Sequence, residues 1–220
     1  RRKHLFIRIL KKDLKRKKSI NIILFLFICL ATIFVASGLN NVISVVNGTD
    51  YYFDKAGIGD YNILTMGGGN SKKGLDEYLD GETAVKSYKL ENVLYGSKYN
   101  LLNEKDEITK ADGSVIFQSI DESKLSYFNL DNKKITKVEE GHIYVTGNFM
   151  KDNNLKKGDK IHIQFESVDM TLIIDSKAKD ALLGSGFMGN TRIIMNNNDF
   201  KKMCMDETIN NYYRGQIAYI

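Results

Sequence analysis

The sequence predicts an α+β protein in which one N-terminal transmembrane helix precedes a mixed α/β domain outside the cytoplasm. Two observations lead to this fold class. Residues 19–49 carry no charged side chain, whereas residues 1–18 contain ten Lys or Arg and a single acid, Asp13. Residues 50–220 alternate short strand patterns with short helical ones and contain no long helix, which favours α+β over a doubly wound sheet. We therefore expect three segments: 1–18, 19–49 and 50–220.

The first segment has the pattern of a basic amphipathic helix. Its apolar side chains recur at three- and four-residue spacing, and basic residues such as Arg8 and Lys11 fill the other positions. A helix of this kind lies in the membrane interface. Its predicted apolar face consists of Phe6, Ile9, Leu10 and Leu14. The alternative is a basic flank that only sets the topology of the next segment.

The second segment has the length and composition of a membrane span. Its most apolar part runs from Ile22 to Leu39, and twelve of these eighteen residues are Leu, Ile, Phe or Val. Eighteen helical residues extend about 27 Å, close to the thickness of the hydrocarbon core. Ala36, Ser37 and Gly38 are small enough for a signal-peptidase site, so a cleaved signal peptide is the alternative. The long basic segment and the uncharged run beyond the small residues favour a retained helix.

The charge distribution predicts the orientation and excludes one class of partner. Residues 1–18 carry a net charge of +9, and residues 50–220 carry −4, since they hold 22 basic and 26 acidic residues. Basic residues before a membrane helix remain in the cytoplasm. We therefore expect a plasma-membrane protein with a cytoplasmic N-terminus and an extracytoplasmic residue range 50–220. A mildly acidic outer domain does not predict binding to nucleic acid.

The third segment is predicted to be one domain of strands and short helices. Alternation of apolar residues predicts strands over 60–66, 85–95, 114–120, 141–146, 160–165, 168–175, 192–195 and 216–220. Strands 160–165 and 168–175 are expected to form a hairpin across Glu166-Ser167. Short helices are predicted over 72–79, 148–154 and 198–203, the last with Asn197 or Asn198 as its cap. The pattern stops in mid-strand at Ile220, so we expect this domain to be incomplete at its C-terminus.

No catalytic, metal or cofactor site is predicted. Cys29 lies inside the apolar run and Cys204 lies far downstream, so we do not expect them to form a disulfide. His142 and His162 lie in two different predicted strands. The glycine-rich stretch 69–74 has the spacing of a phosphate loop but lacks its lysine. The stretch 184–189 matches G-x-G-x-x-G, yet an extended segment follows where a dinucleotide site needs a helix. Both stretches are read as surface turns.

The order of features resembles the N-terminal part of an FtsX/MacB-like ABC transporter permease. The resemblance begins with the basic stretch RILKKDLKRKK and one membrane helix. It continues through pieces of the outer domain: Asp60–Leu64 (DYNIL), Glu140–Val145 (EGHIYV), Phe149–Ile161 (FMKDNNLKKGDKI), Lys179–Ser185 (KDALLGS), Phe187–Gly189 (FMG), Arg192 and Asp199-Phe200. The resemblance covers essentially all 220 residues, and the succession of pieces carries it more than any single piece.

This resemblance implies a MacB-like periplasmic core type of outer domain and a non-enzymatic permease subunit. Such permeases have four membrane helices, and this sequence shows the first. The expected partners are a cytoplasmic ABC ATPase, a second permease copy or homologue, the lipid membrane and an extracytoplasmic peptide, lipoprotein or cell-wall ligand. The alternative function is a single-pass sensor or ligand-binding module without an ATPase. No cofactor is expected for either function.

Overall fold

The computed structural model describes residues 6–8, 11–12, 15–66, 72–96, 99–109, 114–184 and 191–220. The chain divides into two compact units, residues 1–51 and residues 52–220.

Helix α1 runs from Lys18 to Ala56 and is the main element of the first unit. Its 39 residues correspond to a length of about 58 Å. No proline interrupts it, and hydroxyls in its apolar part are paired within the helix: Thr32 Oγ1 donates to the Ile28 carbonyl at 2.8 Å. The helix begins one residue before the predicted segment 19–49 and continues beyond Thr49, where Asp50 and Asp54 do not end it.

Nine strands occur among the described residues, and they form one mixed sheet. They are β1 (Asn62–Thr65), β2 (Lys89–Gly96), β3 (Asn100–Leu102), β4 (Val115–Ser119), β5 (His142–Val145), β6 (Lys160–Phe165), β7 (Val168–Lys177), β8 (Thr191–Met195) and β9 (Arg214–Tyr219). Their order across the sheet is β1-β9-β2-β4-β8-β5-β7-β6-β3. Strand pairs β4/β8 and β5/β7 are parallel, and the other neighbours are antiparallel. The predicted α+β class is therefore confirmed.

Short helices connect the strands of the second unit. They are α2 (Lys72–Gly81), α3 (Phe149–Asp152), α4 (Asn197–Cys204) and a π-helix (Ile209–Tyr213). The predicted N-cap of α4, Asn197 or Asn198, is one or two residues too late in the chain. Asn196 has extended backbone angles, and its side-chain oxygen accepts a hydrogen bond from the Asn198 N–H at 2.7 Å. The cap therefore precedes both predicted candidates.

One face of the sheet, here called the apolar face, is packed almost entirely by hydrocarbon. Phe117 and Phe165 stack with ring centroids 6.0 Å apart, and Tyr213 meets Phe165 edge-on at 4.8 Å. Helix α4 and the π-helix cover this face with buried apolar side chains. The covering residues are Phe200, Met203 and Ile209.

The opposite face, here called the charged face, is half covered. Segments 120–138 and 178–184 lie over β9, β2, β4 and β8, and their Leu125, Tyr127 and Leu183 pack on Ile116 and Ile194. Over β7 and β6 the same face is open, since Lys160, Gln164, Asp169 and Thr171 are exposed. Glu91, Asp180 and Arg192 are buried under the covered half, whereas the buried Asp199 lies in helix α4.

Most predicted strands are present, and the differences have local causes. The hairpin β6–β7 has the predicted turn, in which Glu166 takes a positive φ of 51°. Strand β2 begins at Lys89 rather than at residue 85, since residues 85–88 pair with no strand among the described residues. Strand β3 and the π-helix were not predicted, because three residues and one wide turn give no measurable periodicity.

Candidate functional site

Helix α1 is the one helix among the described residues that is long and apolar enough to cross a membrane. No residue of its most apolar window is buried, so it is not a core helix of the folded domain. The predicted ends of the span, Ile22 and Leu39, both lie within α1 with exposed side chains. An N-terminal helix of this length and composition fits a membrane anchor and equally a signal sequence.

The predicted interfacial face lies only partly within the described residues. Phe6 is helical and exposed. Ile9, Leu10 and Leu14 lie outside the described residues, so this face stays a prediction.

The last turn of α1 belongs to the second unit and is held there by its backbone. Gly57 takes a positive φ of 78°, and the N–H of Ile58 donates to the Phe53 carbonyl at 3.2 Å. This pattern is a helix C-cap that requires a residue tolerant of the left-handed region. Ala56 is buried, and its carbonyl accepts a hydrogen bond from the Ser126 N–H at 2.8 Å. The helix therefore ends at a defined contact with the covering segment 120–138.

Side chains of the same turn add aromatic and charged contacts. The Tyr52 ring lies 6.2 Å from the Phe128 ring, and Lys55 Nζ lies 5.3 Å from the centroid of that ring. The Tyr52 hydroxyl is buried without a hydrogen-bond partner. Burial, with a contribution from the negative charge of Asp180, raises the pKa of Tyr52 to about 12. The end of α1 thus faces the group of buried charges under segment 178–184.

Arg192 is the centre of this buried charge cluster. The guanidinium is fully buried, and Nη1 donates to Glu91 Oε1 at 2.9 Å, to Gln118 Oε1 at 3.0 Å and to Tyr127 Oη at 2.7 Å. Nε lies 2.8 Å from Asp180 Oδ2 in an ion pair that lacks hydrogen-bond geometry. The cluster therefore connects three strands of the sheet with both covering segments.

The carboxylates of the cluster accept further hydrogen bonds. Glu91 Oε2 accepts from the Lys124 N–H at 2.9 Å, and Oε1 also accepts from the Tyr219 hydroxyl. Asp180 Oδ1 accepts from the Leu182 N–H at 2.8 Å. Burial opposes the charge of Arg192, but Asp180 and the surrounding groups hold its pKa well above the usual value. Burial raises the pKa of Tyr127, although the positive charge of Arg192 acts to lower it.

The arrangement is enclosed and suits a structural role. Arg192 is the second residue of strand β8 and Glu91 is the third residue of strand β2, and the next residues on the same face, Ile194 and Val93, are buried and apolar. Sequence reasoning gave neither residue a role. The signal was present, because a single Arg inside the run Thr191–Met195 must find a buried carboxylate or remain unpaired.

The two histidines of the outer domain each contact an aspartate on strand β7. His142 Nδ1 lies 2.7 Å from Asp175 Oδ1, and His162 Nε2 contacts Asp169 Oδ1. Both pairs lie on the open half of the charged face. Among the residues that the structure describes, no group of three or more His, Cys, Asp or Glu side chains is placed to hold a metal ion.

The glycine-rich stretches lie largely outside the described residues, namely at 67–71 and 185–190. Their flanks are described. Leu75 and Asp76, which replace the Lys and the Ser or Thr of a phosphate loop, lie inside helix α2. Strand β8 directly follows the second stretch, as predicted, and residues 181–184 before it form a turn rather than a strand.

An open cleft of about 650 Å³ lies beside the β6–β7 hairpin. It is lined by Tyr99, Asn100, Gln164, Glu166, Ser167, Val168 and Asp169. The hairpin turn is tied to the segment after α4, because Ser167 donates to Asp206 Oδ2 through its N–H at 3.2 Å and through its hydroxyl. Tyr213 Oη donates to Glu166 Oε1 at 2.9 Å.

Comparison with known proteins does not assign this chain to a family, so any function rests on its fold and its sites. No protein-family model and no curated protein matches this chain.

Proposed function

We propose that this chain is a permease subunit of an ABC transporter of the FtsX/MacB type. In this role α1 crosses the plasma membrane, the N-terminus lies in the cytoplasm and residues 50–220 form a MacB-like extracytoplasmic domain. Motion driven by a cytoplasmic ATPase passes along α1 to that domain. The domain then acts on a peptide, a lipoprotein or a cell-wall partner, together with a second permease copy or homologue.

The observation that carries this proposal is the unbroken course of α1. One helix contains both the apolar span and the turn that is fixed against residues of the folded domain. A flexible linker between a membrane anchor and a domain would dissipate displacement, whereas a continuous helix transmits it. The capped end at Gly57 and the buried Ala56 provide the fixed contact that such transmission requires.

The alternative function is a membrane-anchored sensor or ligand-binding module without an ATPase. The open cleft beside the β6–β7 hairpin favours it, because polar and apolar groups converge there: Tyr99, Gln164, Glu166 and Val168. A sensor needs the same anchor and the same outer domain. The two functions differ in whether ATP changes the state of the domain.

Co-isolation distinguishes the two functions. The protein expressed from its natural reading frame is extracted from its own membranes in mild detergent, and the permease function predicts a stoichiometric ATPase with a phosphate-loop sequence. Hydrogen exchange of residues 52–220 is then measured in membranes with and without ATP. We expect an ATP-dependent change in exchange, since the domain moves when the ATPase closes.

A matched pair of insertions tests the route of transmission. Three glycines inserted after Asp50 interrupt α1 before its fixed turn, and three glycines after Asp106 lie in an exposed loop. The first insertion should abolish the ATP-dependent change in exchange, and the second should leave it intact. An isolate without an ATPase, together with exchange that ignores ATP, would overturn the permease function in favour of the sensor.

A further inference from the structure

The residues that precede α1 form a dense and exposed set of cations, here called the basic patch. It consists of Arg8, Lys11, Lys12, Lys15, Arg16, Lys17 and Lys18, all described and all exposed. Residues 1–18 contain one acid, Asp13, against ten bases. A topology signal alone needs only a small excess of positive charge. The patch therefore carries more charge than orientation requires.

The basic patch has no internal counter-charge in the part of the chain that the structure describes. None of the six ion pairs seen between described residues includes a residue of the basic patch, and all six join residues of the folded domain. Charges of one sign on neighbouring helical positions repel each other. An external anion relieves this repulsion.

The position of four of these cations adds a second reason for an anionic partner. Lys15, Arg16, Lys17 and Lys18 immediately precede or begin helix α1, and the first turn of α1 contains no acidic residue. Cations at a helix N-terminus oppose the positive end of the helix dipole. Phosphate groups placed there interact favourably with both the side chains and the free N–H groups of the first turn.

The uncharged part of α1 begins directly after Lys18, so the patch adjoins the segment that a bilayer would cover. Phe6 and Ile7 are exposed next to the patch, and such apolar side chains suit a lipid interface better than a nucleic-acid backbone. We infer that the basic patch binds the anionic phospholipid headgroups of the membrane that α1 crosses and that this binding holds the residues of the patch on that surface. The inference rests on the membrane placement of α1 in the proposed function, and it does not require an ATPase.

The test places a spin label on the patch and varies the lipid. The full chain, with Cys29→Ser, Cys204→Ser and Ile7→Cys, is reconstituted in nanodiscs of phosphatidylcholine alone or with roughly one-third phosphatidylglycerol. Label depth is read from collision with oxygen and with a water-soluble nickel complex. We expect headgroup depth only in the anionic discs. Salt raised from about 0.1 M to about 1 M should release the label, because the Debye length falls from about 10 Å to about 3 Å.

Two charge variants and one control complete the test. Each cation near an anionic surface changes the docking equilibrium about five-fold, so Lys15, Arg16, Lys17 and Lys18→Gln should weaken docking by on the order of several hundred-fold. Lys11→Gln with Lys12→Gln should weaken it about 25-fold and leaves the four cations beside α1 in place, which separates docking from insertion. Lys133, Lys134, Lys156 and Lys157→Gln removes four charges from the folded domain and should change nothing.

Three results would overturn the inference. The first is equal label depth in both lipid compositions, and the second is docking that ignores both salt and the patch variants. The third is immobilisation by added RNA in phosphatidylcholine discs without a response to phosphatidylglycerol, which would assign the patch to a nucleic acid. Failure to co-isolate an ATPase would remove the permease function and leave this lipid test unaffected.

Discussion

The two faces of the sheet in residues 52–220 are covered by different kinds of contact. The apolar face is closed by Phe117, Phe165 and the covering helices, whose contacts are non-directional. The charged face is closed over Arg192, Glu91 and Asp180, whose contacts depend on particular atoms. The comparison shows that the extent of burial alone does not predict how much stability a mutation on either face removes. Hydrocarbon packing weakens gradually, whereas a buried charge that loses its partner is left without compensation.

The largest expected effect follows from removal of the buried cation. Arg192→Met keeps much of the side-chain volume but leaves Glu91 and Asp180 buried without a positive charge. We expect the free energy of unfolding to fall by about 3–5 kcal/mol. The measurement is denaturant unfolding of the full chain in detergent, followed by tyrosine fluorescence.

The control for this prediction neutralises the rest of the cluster. Glu91→Gln and Asp180→Asn, added to Arg192→Met, remove both uncompensated charges while keeping the side-chain shape and one acceptor oxygen at each position. The triple variant should be more stable than the single variant, because replacing a whole ionic cluster costs less than breaking it. A triple variant less stable than Arg192→Met would mean that packing, rather than charge, governs this face.

The second prediction concerns alkaline pH, to which the charged face should be the more sensitive. Burial, opposed by the charge of Arg192, raises the pKa of both Tyr127 and Tyr219 on this face, and burial raises the pKa of Tyr99 on the apolar face to about 12. A raised folded-state pKa contributes stability that is complete below the unfolded value of about 10 and is lost as the pH rises above it. We expect unfolding to accompany ionisation of Tyr127 and Tyr219, detected by absorbance of phenolate during stopped-flow pH jumps.

Phenylalanine variants compare the two faces directly. Relative to its own stability at neutral pH, Tyr127→Phe with Tyr219→Phe should lose less stability above about pH 10 than the unmodified chain, since two ionisable groups are absent. Tyr99→Phe should change the alkaline slope less. Equal slopes for the two variants would show that the charged face is not the more sensitive one.

The third prediction measures the graded response of the apolar face. Ile163→Val on β6 removes one buried methylene group, and we expect a loss of about 0.5–1.5 kcal/mol in the free energy of unfolding. Ile173→Val on β7 removes the same group from the open half of the opposite face and should cost less. A loss at Ile163 as large as that of Arg192→Met would contradict the contrast between the faces.

The smallest effect is expected at the rim, where polar contacts fasten the cover of the apolar face. Asp206 accepts from the Ile209 N–H at 2.8 Å and from Ser167, and the Ser167 hydroxyl in particular holds the pKa of Asp206 below its usual value. Asp206→Ala should cost about 1 kcal/mol, as loss of a capping side chain does. Exposed Glu207→Ala is the control and should be neutral.

The pH dependence of this last effect has a defined sign. A depressed carboxylate pKa contributes stability above the unfolded value and loses it as the pH falls through the folded value. The difference between the unmodified chain and Asp206→Ala should therefore begin to shrink as the pH falls below about 4, the unfolded value, and should disappear once the pH is below the lowered folded-state pKa of Asp206. A difference that persists in acid would mean that the charge of Asp206 is irrelevant to the contact.

The local sequence pattern was sufficient to predict strands that bury one of their two faces. Strands β6 and β7 follow the predicted alternation, and the turn at Glu166-Ser167 follows from two polar residues between apolar runs. The order of the strands was not predictable in this way. The parallel pair β4/β8 joins segments that are far apart in the chain, and no local pattern encodes such a pairing.

The candidate sites show the same contrast between what local sequence predicts and what depends on tertiary contacts. The long apolar helix that contains Ile22 to Leu39 could be predicted, because composition and length are properties of consecutive residues. The fixed end of α1 could not, since Ala56, Ser126 and Phe128 meet only after the covering segment folds over the sheet.

By itself, the sequence determined the uncharged helix, its basic flank and the α+β class of the folded domain, because hydrophobic periodicity and charge are read residue by residue. Only the tertiary structure decided where the charges of the folded domain reside. Arg192 and Glu91 are 101 positions apart, yet their side chains lie 2.9 Å apart in a fully buried site. A charge is stable in such a site only when folding delivers its partner, and that delivery depends on the strand order rather than on either residue's neighbours.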